Sequence, residues 1–314
     1  MKIAYYEENN YHTEIIGVFL YYFFLNELSV TVFNDNDKSG YINYYKNIHD
    51  FELKKIKDIH EIYNEYDYII IGTSYSIDNI KNIYPIIQNK IIFVCHLMEN
   101  INIEDKRSNN CIVLSPINKI NNSCQYIMPI HNFISSHHIK KKNILTLIGR
   151  FKDNNRDTKD IIKIISEHSD LNYEIHIYSR HIKFVPKILF ELSKKYPDKL
   201  KIFLKVKMEN LEKKIKASKF LLTLVSKNSW YHKDRLSGII PLAFNYDIPL
   251  IMDKNLNNIY KFKSPIMYQD SISEIIKDIS TISDNDYIDL VEKVKSEKKY
   301  IINQNNIVLN NLLK

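Results

Sequence analysis

A serine–glycine pair with a cationic side chain beside it, Ser237-Gly238 after Arg235, has the residue types of an anion site. Apolar, strand-like runs lie on both sides of it, at Phe220 to Val225 and at Ile248 to Met252. The short apolar segment that follows the pair is typical of a helix. Because the first backbone N–H groups of a helix have no internal partners, a helix that begins here could hold a phosphate. The alternative is an ordinary helix cap followed by a permissive glycine.

A second candidate anion site follows the apolar run Ile144 to Ile148. The run ends in Gly149-Arg150, and two more cations, Lys152 and Arg156, come soon after. A guanidinium keeps its charge and presents a fork of donors that matches phosphate oxygens, so Arg150 is the best single cation for such a ligand. The alternative is a surface arginine that pairs with a nearby aspartate.

Residues around the serine–glycine pair could hold the rest of a ligand. Asp234 could orient a hydroxyl group, or simply pair with Lys233 or Arg235. Trp230 and Tyr231 could stack on a ring of the ligand, or simply pack against the protein. We therefore take Asp234 and Tyr231 as candidate ligand contacts.

His12 is the candidate general base, and it lies just before the first predicted helix. A helix amino terminus disfavours imidazolium, so the neutral form of His12 would dominate near pH 7. Such an imidazole could take the proton from a hydroxyl group, with Glu14 or Glu8 as alternatives. A histidine that only bonds to the loop backbone is the other interpretation.

Further motifs exclude several functions. Asp35 and Asp37 match a D-x-D metal-binding pattern, but they lie in a turn rich in Asn and Asp, so we assign no metal site and expect no cofactor. The sequence has no GxxxxGK, GxSxG, HExxH or GxGxxG motif. Kinases, hydrolases, zincins and dehydrogenases of those types therefore have no support.

The composition is that of a soluble globular protein, with 314 residues, 45% hydrophobic and 26% charged, which is enough for two domains. The net charge of +7 comes from lysines that are spread widely, so we expect no nucleic-acid partner.

The three cysteines form no CxxC pair and suggest no disulfide framework. The longest apolar run, Ile15 to Leu25, is too short to cross a bilayer. The first residues lack the apolar core of a signal peptide, so we expect no transmembrane segment and a cytoplasmic location.

Strand-like apolar runs alternate with helical segments along the chain, which indicates parallel sheets covered on both faces. We predict an α/β fold of two Rossmann-like domains that face each other across a cleft. The N-terminal domain spans residues 1–138, with a C-terminal helix at 300–314 that could pack back on it, and the C-terminal domain spans 139–299. The basic segment Ser135 to Asn143 is the predicted linker.

Polar clusters follow the carboxyl ends of the predicted strands, where ligands bind in open parallel sheets. Ser179 and Arg180 thereby join the candidate ligand contacts. We expect all of these clusters to face the cleft: Asn9 to Thr13, Gly72 to Ser74, His96, Gly149 to Arg156, Ser179-Arg180 and Lys227 to Gly238.

With both domains placed, the layout resembles the GT-B class of glycosyltransferases, in which the N-terminal domain binds the acceptor and the C-terminal domain binds the nucleotide sugar. Two segments carry the resemblance in motif, ILTLIGRFKDNNR at 144–156 and DRLSGIIPLAFNYDIPLI at 234–251. The first resembles a segment that grips the donor diphosphate. It implies that Arg150, with either Lys152 or Arg156, has this role here.

The second segment departs from a pattern found in many retaining members of the class. Those members carry two glutamates with seven residues between them. When the segment is aligned on Pro249, the two positions fall on Asp234 and Leu242. A leucine cannot bond to a donor ribose, so the stereochemistry of transfer stays open.

The resemblance implies a metal-independent glycosyltransferase that moves a sugar from a nucleotide-sugar donor to a hydroxyl acceptor on a glycan or glycoconjugate. A catalytically silent module that binds a nucleotide sugar or glycan, and a related nucleotide-sugar epimerase, are the alternatives. The expected catalytic residues are His12, Glu14 and Asp234. The expected donor contacts are Gly149, Arg150, Lys152, Arg156, Ser179, Arg180, Tyr231, Arg235, Ser237 and Gly238.

Overall fold

The computed structural model describes residues 1–9, 13–38, 40–72, 84–95, 110–116, 124–132, 141–151, 155–233 and 235–314. The chain divides into two compact units. Met1–Phe133 and Ile301–Lys314 form the first unit, and Ile134–Tyr300 forms the second. Each unit is built on its own parallel sheet.

The described residues of the first unit form a seven-stranded sheet in the order β3-β2-β1-β4-β5-β6-β7, in which each neighbouring pair is parallel. Its strands are β1 Lys2–Tyr6, β2 Ser29–Phe33, β3 Glu52–Lys54, β4 Tyr68–Ile71, β5 Ile91–Cys95, β6 Cys111–Val113 and β7 Gln125–Tyr126. Its described helical segments are a 3-10 turn Thr13–Ile15, α1 Ile16–Leu25, α2 Tyr41–Lys46, α3 Ile59–Ile62 and α4 Tyr84–Ile87. The chain winds outward from β1 in both directions.

Helix α1 packs on this sheet because it is apolar on nearly every side. Ile16, Phe19 and Phe23 are buried, and the ring of Phe19 lies 5.3 Å from the ring of Tyr5 on β1. Four successive residues of β1 are buried, as expected for a central parallel strand with helices on both faces. No helix in the described part of the chain, α1 included, is long and apolar enough to cross a membrane.

The described residues of the second unit form a six-stranded parallel sheet in the order β10-β9-β8-β11-β12-β13. Its strands are β8 Lys142–Ile148, β9 Glu174–Ser179, β10 Leu200–Leu204, β11 Ser218–Leu222, β12 Leu250–Asp253 and β13 Ile266–Tyr268. Its helices are α5 Thr158–Glu167, α6 Lys187–Lys195, α7 Met208–Ala217, α8 Ile239–Asn245, α9 Lys254–Tyr260, α10 Ile276–Thr281 and the start of α11 Asp284–Leu312. Three 3-10 turns lie at Ile182–Phe184, Trp230–His232 and Ile272–Glu274.

Helix α5 shows how the sequence places a helix on this sheet. Asp157 caps its amino terminus by accepting hydrogen bonds from two backbone N–H groups of the first turn. Its apolar residues recur at helical spacing, so Ile161, Ile164 and Ile165 all lie on the buried face. They join Leu145 and other strand residues in the hydrophobic core of the unit.

The last helix, α11, begins in the second unit and ends in the first. Within the second unit, buried Lys298 donates to Asp247 Oδ1 at 3.0 Å, and burial lowers the pKa of Lys298. Within the first unit, Asn305 exchanges two hydrogen bonds with the backbone of Met128. Each end of α11 is therefore bonded to the unit that holds it.

The prediction of an α/β fold with two doubly wound sheets is confirmed. At two strands the structure differs from what the sequence predicts. The run Phe220 to Val225 is a strand only as far as Leu222, because the backbone turns at Leu224, where φ is 41°. The apolar pattern does not predict β13, since its three residues are too few to show a period.

Candidate functional site

Both sheets have a point at which the strand order reverses. In the first unit the chain leaves β1 on one side for β2 and returns on the other side as β4, and in the second unit β8, β9 and β11 repeat this pattern. In open parallel sheets, ligands bind beyond the carboxyl ends of the strands at such a switch point. The residues that follow β1, β4, β8 and β11 are therefore the candidate ligand-binding residues.

Arg156 lies at the switch point of the second unit. Its backbone bridges to Val225, so it joins the segments that follow β8 and β11. The residue is only 3% exposed. Its Nη2 donates to the carbonyl of Ile148 at 3.2 Å and to Ser237 Oγ at 3.1 Å, and its Cζ lies 4.9 Å from the centre of the Tyr231 ring. Three predicted donor contacts, Arg156, Ser237 and Tyr231, therefore form one cluster.

Two nitrogens of the Arg156 guanidinium, Nε and Nη1, are buried and have no hydrogen-bond partner among the described residues. Burial lowers the pKa of Arg156, while Tyr231 and Tyr268 raise it, and no described carboxylate pairs with it. Arginine nevertheless stays protonated in proteins. Because buried polar groups are normally hydrogen-bonded, these two donors indicate that a ligand with acceptor atoms, such as a phosphate, fits here.

The serine–glycine pair lies at the start of α8, which begins at Ile239. Ser237 is fully buried beneath Arg156. Gly238 is the N-cap and has an ordinary helical φ of −59°. A Cβ added to it would meet no described atom within 4 Å. Gly238 therefore leaves open space in front of α8, although a helix of seven residues supplies only a weak dipole.

Arg150 contacts an aromatic ring outside this cluster. Gly149 has a φ of 121°, which favours glycine, and its N–H donates to the carbonyl of Tyr178 on β9. The turn carries Arg150 to the β9 side, where its exposed guanidinium lies 4.9 Å from the centre of the Phe184 ring. Lys183 lies over the same ring at 5.5 Å. The structure thus separates the two arginines of the first motif.

Three further predicted donor contacts have partners other than Arg156. Ser179 is buried and its hydroxyl donates to the carbonyl of His181 at 3.4 Å. Arg180 is exposed directly after β9. Arg235 is exposed as well, with its Cζ 5.3 Å from the centre of the Trp230 ring. These cations lie on the surface of the second unit.

Several predicted residues lie outside the described part of the chain. Their roles stay predictions. They are His12, Thr73, Ser74, His96, the linker residues 135–140, Lys152 and Asp234.

Among the described residues, the switch point of the first unit holds a buried carboxylate. Glu7 follows β1 directly and is fully buried, and its Oε1 accepts from the backbone N–H of Asn9 at 2.8 Å. A Cβ added to Gly72, which follows β4, would collide with this carboxylate. The predicted residue Glu14 is half-buried in the 3-10 turn before α1. Burial raises the pKa of Tyr5, and the charges of Glu7 and Glu14 raise it further, so both carboxylates act on one tyrosine.

The D-x-D pair has a structural role. Asp37 accepts from the hydroxyl of Thr13 and from the backbone N–H of Gly40 and Ile42. Asp35 accepts from the backbone N–H of Ile56 at 2.9 Å. Among the described residues, no group of three or more His, Cys, Asp and Glu side chains could hold a metal ion.

Sequence reasoning missed Glu7 and Asp253, although a signal for both exists. Each is an acidic residue directly after an apolar strand, the same signal that selected Ser179-Arg180. Asp253 ends β12, where its Oδ1 accepts from the backbone N–H of Leu256 at 2.9 Å. Its Oδ2 is buried and has no partner in the described residues.

No family model and no curated protein sequence matches the chain. Solved structures do resemble it over nearly its whole length. HepE from Anabaena, solved with UDP-glucose, has a TM-score of 0.65 at 11% identity, covering 99% of each chain. An alpha-glucosyltransferase solved with UDP and a 13-mer DNA containing an HMU base has a TM-score of 0.64 at 13% identity, covering 96% of this chain and 99% of that one.

A glycosyltransferase from Rickettsia africae has a TM-score of 0.61 at 10% identity, covering 99% of this chain and 95% of that one. At such low identities, the likeness concerns the fold. It agrees with the two doubly wound sheets described above. The chain has the fold of the GT-B-type glycosyltransferases.

Proposed function

We propose that the protein is a glycosyltransferase whose second unit binds a nucleotide-sugar donor. The observation that supports this most directly is the buried guanidinium of Arg156, with two unpaired donors at the switch point of the sheet. HepE was solved with UDP-glucose, and the alpha-glucosyltransferase was solved with UDP. A diphosphate is the ligand group that suits both the Arg156 site and a protein of this fold.

Arg156 would act on the diphosphate in the ground state and in the transition state. As the bond between sugar and phosphate breaks, negative charge grows on the departing nucleotide. A fixed cation in a site with little water stabilises that charge, and removing one such donor typically lowers kcat by about 10²–10³-fold. Since a guanidinium can neutralise this charge, we propose that transfer proceeds without a metal ion.

The surface cations would have a weaker role in the same unit. We propose that Arg150, Lys152, Arg180 and Arg235 attract the donor, and that the backbone of Gly149, Ser237 and Gly238 borders it. Asp234 would orient donor hydroxyls. In the first unit, His12 would take the proton of the acceptor hydroxyl on a glycan or glycoconjugate, with Glu14 as the alternative base.

Incubation of the purified protein with a panel of nucleotide sugars tests this proposal. A ligand that binds only the folded state raises the melting temperature, so at least one nucleotide sugar should do so. Chromatography and mass spectrometry of the mixture should then show the free nucleotide and a glycosylated or hydrolysed product. An epimerised donor, or tight binding with no product, would support the alternative functions. Absence of any nucleotide binding would rule the proposal out.

A further inference from the structure

Asp253 presents one carboxylate oxygen that the protein does not use. The residue is 7% exposed. Its Oδ1 caps α9 by accepting from the backbone N–H of Leu256. Its Oδ2 is buried and no described residue donates to it. An ionised carboxylate is an acceptor only, so a buried oxygen of this kind calls for a donor from outside the protein.

Asp253 lies at the same edge of the sheet as Arg156. Asp253 and Tyr268 are paired in register at the ends of the neighbouring strands β12 and β13. The pKa of Tyr268 is raised well above its usual value by burial and by the charge of Asp253, and it is lowered by the charge of Arg156. The Tyr268 hydroxyl therefore lies within electrostatic reach of both groups.

A second chain of contacts connects the same two residues. The Arg156 guanidinium stacks on Tyr231 of the 3-10 turn Trp230–His232. That turn packs against α9, the helix that Asp253 caps. The unpaired donors of Arg156 and the unpaired acceptor of Asp253 are thus connected in two ways, through Tyr268 and through the turn that carries Tyr231.

The buried charges of Arg156 and Asp253 do not pair with each other. Arg156 and Asp253 are both described, and they form no ion pair. Lys227, whose pKa is raised mainly by Asp270 and to a smaller extent by Asp253, is exposed and pairs with Asp270 Oδ1 at 3.0 Å. The site therefore offers a buried cation that needs acceptors and a buried anion that needs a donor. A ligand that satisfies both must carry an anionic group and a hydroxyl or N–H group.

We propose that Asp253 Oδ2 accepts a hydrogen bond from a sugar hydroxyl of the nucleotide sugar whose diphosphate lies on Arg156. This inference rests on the proposed function and adds a residue that selects and orients the ligand. Arg156 attracts the phosphates and Asp253 repels them, so the two side chains would contact different parts of the ligand. The hydroxyl belongs either to the nucleoside ribose or to the transferred sugar, and both present the same donor chemistry.

The test compares ligands with and without that hydroxyl on Asp253→Asn. Titration calorimetry is carried out with UDP, GDP, ADP and CDP, with the corresponding nucleotide sugars, and with inorganic pyrophosphate. In the variant, affinity for the best-binding nucleotide ligand should fall about 10- to 100-fold, the value of a hydrogen bond to a buried charge. Pyrophosphate affinity should stay the same or rise, because the variant removes a negative charge and leaves Arg156 in place.

Deoxy ligands identify the source of the hydroxyl. If the ribose donates, the 2′- or 3′-deoxy nucleoside diphosphate should bind wild type about 10- to 100-fold less tightly and should lose nothing further in Asp253→Asn. If the transferred sugar donates, the same pattern should appear only with a deoxy sugar in the donor. A merely structural role of Asp253 would weaken all ligands alike, pyrophosphate included.

Two further variants keep the result interpretable. Asp58→Asn is the matched control, because Asp58 caps α3 in the first unit through one oxygen in the same way, and it should change no affinity. Asp253→Ser keeps an oxygen that can cap α9 and removes the carboxylate, so it should behave as Asp253→Asn does. Unchanged discrimination between nucleotide and pyrophosphate in both Asp253 variants would overturn the inference. Wild-type protein that binds no nucleotide at all would overturn the proposed function instead.

Discussion

The two sheets share one winding pattern and differ in the buried charged residue that is described at each switch point. In the first unit, Glu7 lies between the residues that follow β1 and β4. In the second unit, Arg156 lies between the segments that follow β8 and β11. A phosphate is attracted to Arg156 and repelled by Glu7, whereas a hydroxyl group can donate to Glu7. The same winding pattern occurs in both units, and among the described residues it places a buried carboxylate in one and a buried guanidinium in the other.

Under the proposed function, this contrast divides the substrates between the units. The nucleotide sugar carries the phosphates, so it belongs to the second unit. The acceptor reacts through a hydroxyl group, which suits a carboxylate environment in the first unit. This division of substrates does not require the two units to differ in topology. Variants that change only the charge or the side-chain volume at each switch point therefore test it directly.

The largest expected effect is that of Arg156→Gln on nucleotide binding. The variant removes the charge and the unpaired donors, and hydrogen bonds to charged groups are worth about 1.5–3 kcal/mol each. Affinity for nucleoside diphosphates should therefore fall about 100-fold or more. The unfolding free energy should stay within about 1 kcal/mol of wild type, because a buried charge without an opposite partner adds little stability. Titration calorimetry and urea denaturation measure the two effects.

Glu7→Gln is the matched control in the other unit, since it also removes one buried charge. Nucleotide affinity should change by no more than about twofold, because Glu7 belongs to the unit that is not proposed to bind the nucleotide. The proposed division of ligands is wrong if Glu7→Gln weakens nucleotide binding as much as Arg156→Gln does. It is equally wrong if Arg156→Gln leaves the affinity intact.

The glycines at the two switch points should respond differently to alanine. Gly72→Ala places a Cβ in contact with the Glu7 carboxylate, and overpacking of this kind costs about 1–3 kcal/mol. Gly238→Ala meets no described atom within 4 Å and has a φ that suits alanine. Its stability should stay the same or rise by about 0.4–1 kcal/mol. Urea denaturation of both variants gives the comparison.

A double variant shows whether Glu7 is the cause. Glu7→Ala should restore more than half of the stability that Gly72→Ala loses, because it removes the atoms with which the new Cβ collides. If the two losses simply add, the position needs a glycine for another reason, and the first switch point is not built around the carboxylate.

Much of the fold follows from the sequence because its signal is local. Strands β1, β4 and β8 each contain a nearly continuous apolar run, and a run of this kind predicts a strand buried on both faces without any knowledge of its neighbours. The short strand β13 gives no such signal, since three residues form a strand only when β12 is there to pair with them.

The site is less predictable because it depends on contacts between distant residues. Both Arg150 and Arg156 follow β8, and the sequence favours Arg150. Burial of Arg156 arises from its bridge to Val225, while the left-handed Gly149 turn directs Arg150 to the β9 side. The unpaired Oδ2 of Asp253 is likewise visible only once its surroundings are known.

A pH effect should distinguish Lys141 from Arg156, two cations of the second unit. Burial lowers the pKa of Lys141 from 10.5 to about 8, whereas arginine keeps its proton. Between pH 8 and pH 10.5, Lys141 binds more protons in the unfolded chain than in the folded one. The free energy of unfolding therefore increases as pH rises through this range. Over that range, the free energy of unfolding of wild type should increase by about 1–2 kcal/mol relative to that of Lys141→Met. This value is smaller than the full pKa shift implies, because water screens the half-buried amine. A constant difference in urea denaturation at both ends of the range would contradict this.

The smallest expected effect is that of Arg150→Gln, and it decides which arginine of the motif matters. Arg150 is exposed over Phe184, so water and salt screen its charge. Nucleotide affinity should fall about two- to fivefold at low salt, and this loss should nearly vanish near 0.5 M salt. The loss in Arg156→Gln should persist at high salt, because a buried guanidinium is poorly screened. Titrations of both variants at two salt concentrations separate the cases. A salt-resistant, hundredfold loss in Arg150→Gln would place the diphosphate on the β9 side, at the surface cations, and would leave the buried donors of Arg156 for another ligand.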